Sequence, residues 1–140
     1  MTTTSRIFHD QTGKPTAELS MKFIFHQNEE CVELNIYGAI LSDNAEGFRK
    51  FIHEITNYPA QRWRLNLQNL KILSTRGFEA LVKLAKKIRK RGHIVEITAV
   101  DPIVFYLMRE NRIDKYFDFG VQKHRLLESQ QTLLNSYCMN

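Results

Sequence analysis

Cysteine is scarce in this sequence, and long apolar runs are absent from it. The two cysteines are Cys31, in a predicted strand, and Cys138, near the C-terminus. A disulfide between them would have to tie the core to a tail, so we expect two free thiols in a reducing compartment. The most apolar stretch, residues 99–108, is interrupted by Asp101 and Pro102 and is shorter than the roughly 20 residues that a bilayer requires. With a polar N-terminus that lacks the apolar region of a secretory signal, this predicts no membrane insertion and a cytoplasmic location.

Motifs for metal binding and catalysis are also missing. The histidines are scattered, with no cysteine or carboxylate at ligand spacing, whereas a metal site needs at least three converging ligands. They are His9, His26, His53, His93 and His124. The sequence contains no Gly-rich phosphate loop, no nucleophile with a base at a recognised spacing and no motif of paired carboxylates. We therefore expect no metal, no cofactor and no catalytic residues, and the chain is not predicted to be an enzyme.

The length and composition are those of one domain with its own core, since 43% of the 140 residues are hydrophobic. Residues 1–18 are rich in Thr, Gly, Pro and charge, with a turn predicted at 13–15, and are expected to form a flexible lead-in. The domain is predicted over residues 19–120. Residues 121–140 are expected to form a C-terminal helical extension.

Hydrophobic periodicity predicts alternating strands and helices. Apolar runs at 22–27 and 31–37 predict a hairpin. Ser42, Asp43 and Asn44 are cap candidates for a helix that ends before Pro59, and Asp43 and Glu46 have the spacing of a capping box. The later pattern predicts a strand at 63–67, a helix at 78–91, a strand at 93–100, a helix at 102–111, a short strand or packed turn at 114–119, and a tail helix from 122. The order β-β-α-β-α-β-α plus a C-terminal helix predicts an α/β fold with a small mixed sheet of four to five strands.

The most informative part of the chain joins a predicted strand to a predicted helix through a hydroxyl-rich turn. In its spacing it resembles the signature of the STAS domain family, the anti-sigma factor antagonists and their relatives, in which a strand ends in Asp and Asp-Ser-Ser/Thr-Gly opens a helix eight residues later. In this sequence Asn66 and Ser74 occupy the two acidic positions. Thr75 occupies the position of the phosphorylatable hydroxyl, Arg76 replaces the next Ser/Thr, and Gly77 is retained.

The resemblance extends over about residues 20 to 119 through short motifs in the same order and spacing. These are a Gly-containing strand and its exit at 37–41, a helix-Gly-strand step at 92–95, a penultimate helix at 101–107 and a closing segment at 113–119. The resemblance implies a STAS-like single domain.

For function, the resemblance implies a regulatory module that binds a histidine-kinase-like ATPase or anti-sigma-type kinase, with a phosphatase as a further partner and a homodimer as an oligomeric form. It implies that the kinase phosphorylates Thr75, or alternatively Ser74, and that the phosphate switches binding off. The implied partner-binding residues are Asn66, Ser74, Thr75, Arg76, Gly77 and Phe78.

Two other interpretations of the same turn stay open. Ser74 or Thr75 can be an ordinary N-cap, which alone contributes about 1 kcal/mol, with no phosphate ever attached. The chain can also be a constitutive, unphosphorylated accessory subunit of a membrane transport or other multiprotein complex, as the resemblance allows. If a phosphate is attached, the helix N-terminus and the neighbouring Arg76 would stabilise it.

The predicted helix after Gly77 is strongly basic. Between Glu79 and Arg91 it has six basic residues and one acidic residue, and Lys83, Lys86, Lys87 and Lys90 fall on one arc. This arc is a solvated face, a surface for an acidic protein partner, or a patch for nucleic acid or membrane. Its lack of aromatic residues for base stacking argues against nucleic acid.

The predicted tail helix carries an apolar stripe, which either docks on its own domain or mediates self-association. The stripe consists of Leu126, Leu127, Leu133, Leu134 and Tyr137.

Overall fold

A six-stranded mixed sheet forms the centre of the protein. The computed structural model describes residues 3–11 and 18–138, with side chains from Leu19 to Asn135 except Leu133. The strands are β1 (Thr3–Gln11), β2 (Glu18–His26), β3 (Cys31–Ile40), β4 (Arg62–Leu73), β5 (Val95–Val100) and β6 (Phe117–Asp118). They lie side by side in chain order. The first three are antiparallel neighbours, and the pairs from β3 to β6 are parallel.

Helices connect the parallel strands, as a parallel sheet requires. They are α1 (Ala45–Ile55), α2 (Thr75–Lys90) and α3 (Pro102–Glu110), and a fourth helix, α4 (Lys123–Cys138), follows the last strand. Two short 3-10 turns, Asp114–Tyr116 and Gly120–Gln122, flank β6. The predicted α/β class, the mixed sheet and the order of the elements from β2 onward are confirmed, but the sheet has six strands and not the predicted four to five, because β1 pairs with the edge of β2.

One face of the sheet holds the core and the other is polar. Leu34, Trp63 and Leu65 are fully buried under the helices. Glu33 and Arg64, which alternate with them along the strands, lie on the opposite face and are only partly buried. There Arg64 contacts Glu33 at 3.3 Å and Glu96 at 3.9 Å. At the centre of the sheet, the side chains of this ion-paired face remain partly exposed to solvent.

The first strand differs from the sequence prediction. Thr3–Gln11 pairs antiparallel with Glu18–His26, whereas we expected a flexible lead-in over residues 1–18. The polar composition of the segment conceals the strand, because pairing to the edge of β2 uses main-chain hydrogen bonds and does not require an apolar alternation. The predicted turn at 13–15 lies outside the described residues, and the domain limits stay predictions.

The start of α1 also differs from the prediction. Its N-cap residue is Asn44, not Asp43, and the Asn44 side chain makes no cap hydrogen bond. The carboxylate of Glu46 instead accepts hydrogen bonds from Arg49, at 2.6 and 3.0 Å. The predicted capping box is therefore wrong, because the helix begins one residue later than the box requires and the Glu46 carboxylate pairs with Arg49.

The first half of the tail helix docks on its own domain, which is the first of the two predicted alternatives. Leu126 is buried in the core, and Gln130, also buried, accepts a hydrogen bond from Arg109 of α3 at 3.0 Å. Leu134 is exposed. The side chains of Leu133 and Tyr137 lie outside the described residues.

Candidate functional site

A single residue separates β4 from α2. The strand continues to Leu73 and the helix begins at Thr75, so Ser74 alone forms the connection. The sequence analysis ended this strand at Leu67 and predicted a longer turn. The strand continues because β4 stays paired with β3 through two register shifts, and because the side chains of Leu70 and Leu73 are buried.

Ser74 closes the N-terminus of α2. Its backbone is extended, and its hydroxyl oxygen accepts a hydrogen bond from the Gly77 N–H at 3.3 Å. Its own N–H donates to the carbonyl of Ile40 at 2.8 Å, and its carbonyl accepts from the Phe78 N–H at 3.0 Å. The partly buried hydroxyl therefore acts as the N-cap that was one of the sequence interpretations.

Thr75 and Arg76 form the exposed first turn of α2. N–H groups at the start of a helix have no partner within the helix, and the helix dipole places partial positive charge there. An anion attached to Thr75 would therefore lie in a favourable field. The guanidinium of Arg76 is one residue away. The two adjacent hydroxyls differ in environment, since that of Ser74 is used as a cap and Thr75 faces solvent.

Gly77 and Phe78 are buried beneath this surface. A Cβ on Gly77 would lie 2.5 Å from Leu73 Cδ1 and 2.9 Å from Ile40 Cγ2, so the first turn of α2 packs directly on the ends of β3 and β4. Because Gly77 and Phe78 are packed in this way, they hold Thr75 and Arg76 in place at the surface.

Asn66 lies apart from the other residues of the signature. Asn66 pairs with Asn35 and Leu73 pairs with Ile40, five residues farther along β3. At about 3.3 Å per residue, Asn66 is roughly 17 Å from the start of α2. Its side-chain oxygen accepts a hydrogen bond from the Gln68 N–H at 3.0 Å, at a register shift of the strand. Five of the six predicted partner-binding residues therefore converge, and Asn66 does not.

The sequence analysis missed the part of this surface that α1 contributes. A depression of about 160 Å³ beside the first turn of α2 is lined by residues of both helices. The charged ones are Glu46, Arg49, Arg76, Glu79 and Lys83. The hydrogen bond from Arg49 holds the pKa of Glu46 below its usual value. The spacing of three residues between Glu46 and Arg49 is a sequence signal for their ion pair. No such signal indicates that the pair lies near Arg76, which is about 30 residues farther along the chain.

Lys71 and Asp101 connect the end of β4 to α3. Asp101 is the N-cap of α3, accepts a hydrogen bond from the Ile103 N–H at 2.9 Å and pairs with Lys71 at 3.0 Å. Partial burial raises the pKa of Asp101, but the bonds from Lys71 and the Ile103 N–H outweigh it and hold the pKa below its ordinary value.

This ion pair predicts a pH-dependent stability. A carboxyl whose pKa is lower in the folded than in the unfolded chain stabilises the fold above about pH 4 and loses that contribution as the pH falls through the folded value. Lys71→Met is therefore expected to cost about 0.5 kcal/mol near neutral pH, and its difference from wild type should shrink towards about pH 3. Urea unfolding across pH measures this, with the exposed Lys22→Met as control. A difference that stayed constant with pH would contradict the assignment.

The basic residues of α2 and of its C-cap, Arg91, have several different partners. The guanidinium of Arg91 donates to the carbonyls of Thr56 and Tyr58 at the end of α1. Lys86 and Arg89 lie over the ring of Tyr116, 5.5 and 5.7 Å from its centroid.

Lys83 and Lys87 instead line a groove between α2 and α1. The predicted single arc is therefore not uniform: part of it is engaged within the protein and part faces α1.

Within residues 3–11 and 18–138, no group of three His, Cys, Asp or Glu side chains could hold a metal ion. In the same part of the chain, no helix is both long enough and apolar enough to span a bilayer. Cys31 is a buried free thiol whose pKa is raised by burial. The side chain of Cys138 lies outside the described residues.

Comparison with known proteins agrees with this fold. An anti-sigma factor antagonist from Mycobacterium paratuberculosis superimposes with a TM-score of 0.61 at 14% identity, over 83% of this chain and 96% of that one. The anti-sigma factor antagonist SpoIIAA in its unphosphorylated form gives 0.55 at 11% identity, over 76% and 93% of the two chains. A search among curated proteins found no match in sequence. The family model of the STAS domain matches residues 22–125, and the chain therefore belongs to the STAS domain family.

Proposed function

We propose that this STAS domain is a non-enzymatic regulatory module of the anti-sigma factor antagonist kind, which binds a histidine-kinase-like ATPase or anti-sigma-type partner through the N-terminal surface of α2. Thr75 is the phosphoacceptor and its phosphate switches binding off. The partner itself supplies the ATP chemistry. The phosphatase, the homodimer and the cytoplasmic location implied earlier stay predictions.

The exposure of Thr75 at the first helical position carries this proposal. Its neighbour Ser74 is partly buried and is engaged as the cap, so a kinase could reach the Thr75 hydroxyl without opening the helix. This favours Thr75 over Ser74 as the acceptor. The solved structure of SpoIIAA is of its unphosphorylated form, which implies that SpoIIAA also has a phosphorylated form. As part of the proposal, we assign the corresponding phosphorylation in this chain to Thr75.

The switch has a physical basis in the charge at this surface. A phosphate adds nearly two negative charges and three acceptor oxygens, which an interface must either pair or desolvate. On the protein itself the helix N-terminus and Arg76 stabilise the phosphate. In the complex, a partner surface whose negative charge matches the exposed cation of Arg76 would be repelled by the phosphate. The modified protein therefore folds normally and binds less tightly.

Substitution of Thr75 tests the switch. We expect Thr75→Glu to weaken binding of the native partner by about tenfold, because one carboxylate carries part of the phosphate charge into the interface. Thr75→Ala should bind as well as the unphosphorylated wild type. Isothermal titration with the partner co-purified from the native cells measures both. Equal affinities of the two variants would contradict the switch and favour a constitutive binding module.

The modification is tested by mass spectrometry. Intact-mass measurement of the protein purified from its own cells, with peptide mapping of residues 73–83, is expected to find one phosphate on Thr75. Ser74→Ala serves as the matched control and should retain the modification, although it loses the cap. Phosphate on Ser74, or none across growth conditions, would overturn the assignment.

A further inference from the structure

A narrow groove runs between α1 and α2, more than one helical turn beyond Thr75. The two helices pack side by side and leave a groove of about 50 Å³. Its floor is apolar and consists of Ile52, Ala80 and Leu84, all of them nearly or fully buried. Its walls are basic and consist of Arg49, Lys83 and Lys87.

The walls carry more positive charge than the protein neutralises. Arg49 is paired with Glu46, but Lys83 and Lys87 stand one helical turn apart on the same face of α2, where like charges repel. The ammonium of Lys87 lies 3.1 Å from Nδ1 of His53, a side chain that supplies no negative charge. An anionic occupant would relieve this repulsion.

We propose that this groove binds an acidic segment of a protein partner. Carboxylates of the segment pair with Lys83 and Lys87, and the segment lies across the mouth of the groove, above Ala80 and Leu84. The groove adjoins the depression beside the first turn of α2 and shares Arg49 and Lys83 with it, but Thr75 does not line it, and the proposal does not depend on phosphorylation of Thr75.

The chemistry of the groove favours a protein segment over other anionic partners. The groove lining contains no Phe, Tyr or Trp, and its one ring, the imidazole of His53, is already in contact with the ammonium of Lys87, so it offers no free ring on which a nucleotide base could stack. Its apolar residues lie at the floor, so they cannot insert into a membrane surface. Two lysines one helical turn apart match an acidic segment, whose successive carboxylates can pair with both of them.

Titration of the full chain with defined probes tests the proposal. The probes are a short glutamate-rich synthetic peptide, a DNA duplex and phosphatidylglycerol vesicles. With isotope-labelled protein, the peptide should give saturable shifts of the amide signals of Ala80 and Leu84. Tighter binding of the duplex or the vesicles, or peptide shifts located elsewhere, would overturn the proposal.

Matched double variants separate the groove from the general charge of α2. Lys83→Glu with Lys87→Glu reverses both walls, whereas Lys86→Glu with Lys90→Glu makes the same charge change outside the groove lining. All four lysines are exposed, so both variants should fold, as thermal unfolding can verify. We expect the first pair to weaken peptide binding at least about tenfold and the second by clearly less. Equal losses would overturn groove binding, while the comparison of Thr75→Glu with Thr75→Ala would still test the switch.

Discussion

Asn44→Ala is expected to lower the free energy of unfolding by about 2 to 4 kcal/mol, because two buried polar groups lose their partners. The Asn44 side chain is completely buried. Its oxygen accepts a hydrogen bond from the Leu41 N–H at 2.8 Å, and its amide donates to the Ala39 carbonyl at 2.9 Å. These bonds brace the connection from β3 into α1. Urea denaturation should show a lower midpoint with an unchanged slope.

Two further variants define the cause of this loss. Asn57→Ala removes an exposed asparagine just after α1 and is expected to change stability by less than about 0.5 kcal/mol. Asn44→Asp keeps an acceptor for the Leu41 N–H but cannot donate to the Ala39 carbonyl, and it buries a charge. It should therefore be at least as destabilising as Asn44→Ala near neutral pH. An Asn44→Ala variant as stable as Asn57→Ala would show that the two bonds contribute nothing.

Gly77→Val is expected to destabilise the fold by about 2 kcal/mol through overpacking. Because a Cβ at this position would lie within 3 Å of side-chain atoms of Leu73 and Ile40, α2 must move or both side chains must change rotamer. Valine is a better helix former than glycine by a few tenths of a kcal/mol, which offsets only a small part of this cost. Chemical denaturation monitored through the buried Trp63 measures the loss.

The neighbouring substitution Arg76→Val is the matched control for Gly77→Val. It introduces the same side chain one residue earlier, at an exposed position, and should cost less than about 1 kcal/mol. If the two variants had equal stability, Gly77 would have no packing role. A shift of α2 in Gly77→Val would also displace Thr75 and Arg76, so partner binding should weaken for Gly77→Val even under conditions where the variant is folded.

Local patterns made much of the fold predictable. Three predicted features depend on residues close in sequence. The structure contains each of them: the cap at Asp101 followed by Pro102, the hairpin of β2 and β3, and the apolar stripes of α1 and α2. The Ser74 cap and the retained Gly77 were also visible, because capping and close packing at a helix start depend on adjacent residues.

Other features could not be predicted because their causes are non-local. The extension of β4 to Leu73 depends on pairing with β3 across two register shifts, and the strand at the N-terminus depends on the free edge of β2. Asn44 was predicted as a cap candidate, but its side chain instead bonds to the Leu41 N–H and the Ala39 carbonyl. These two groups come into reach only when the connection from β3 folds, so the sequence pattern did not indicate them.

The sequence by itself determined the α/β order, the family resemblance and the placement of Ser74, Thr75 and Gly77 at the start of one helix, since these follow from periodicity and short-range hydrogen bonding. Only the tertiary structure decided that Ser74 is engaged while Thr75 is exposed, and that Asn66 lies far from both. It alone brought Arg49 of α1 beside Lys83 of α2. Contacts between elements distant in sequence arise from packing on a shared sheet face, and sequence spacing does not encode those distances.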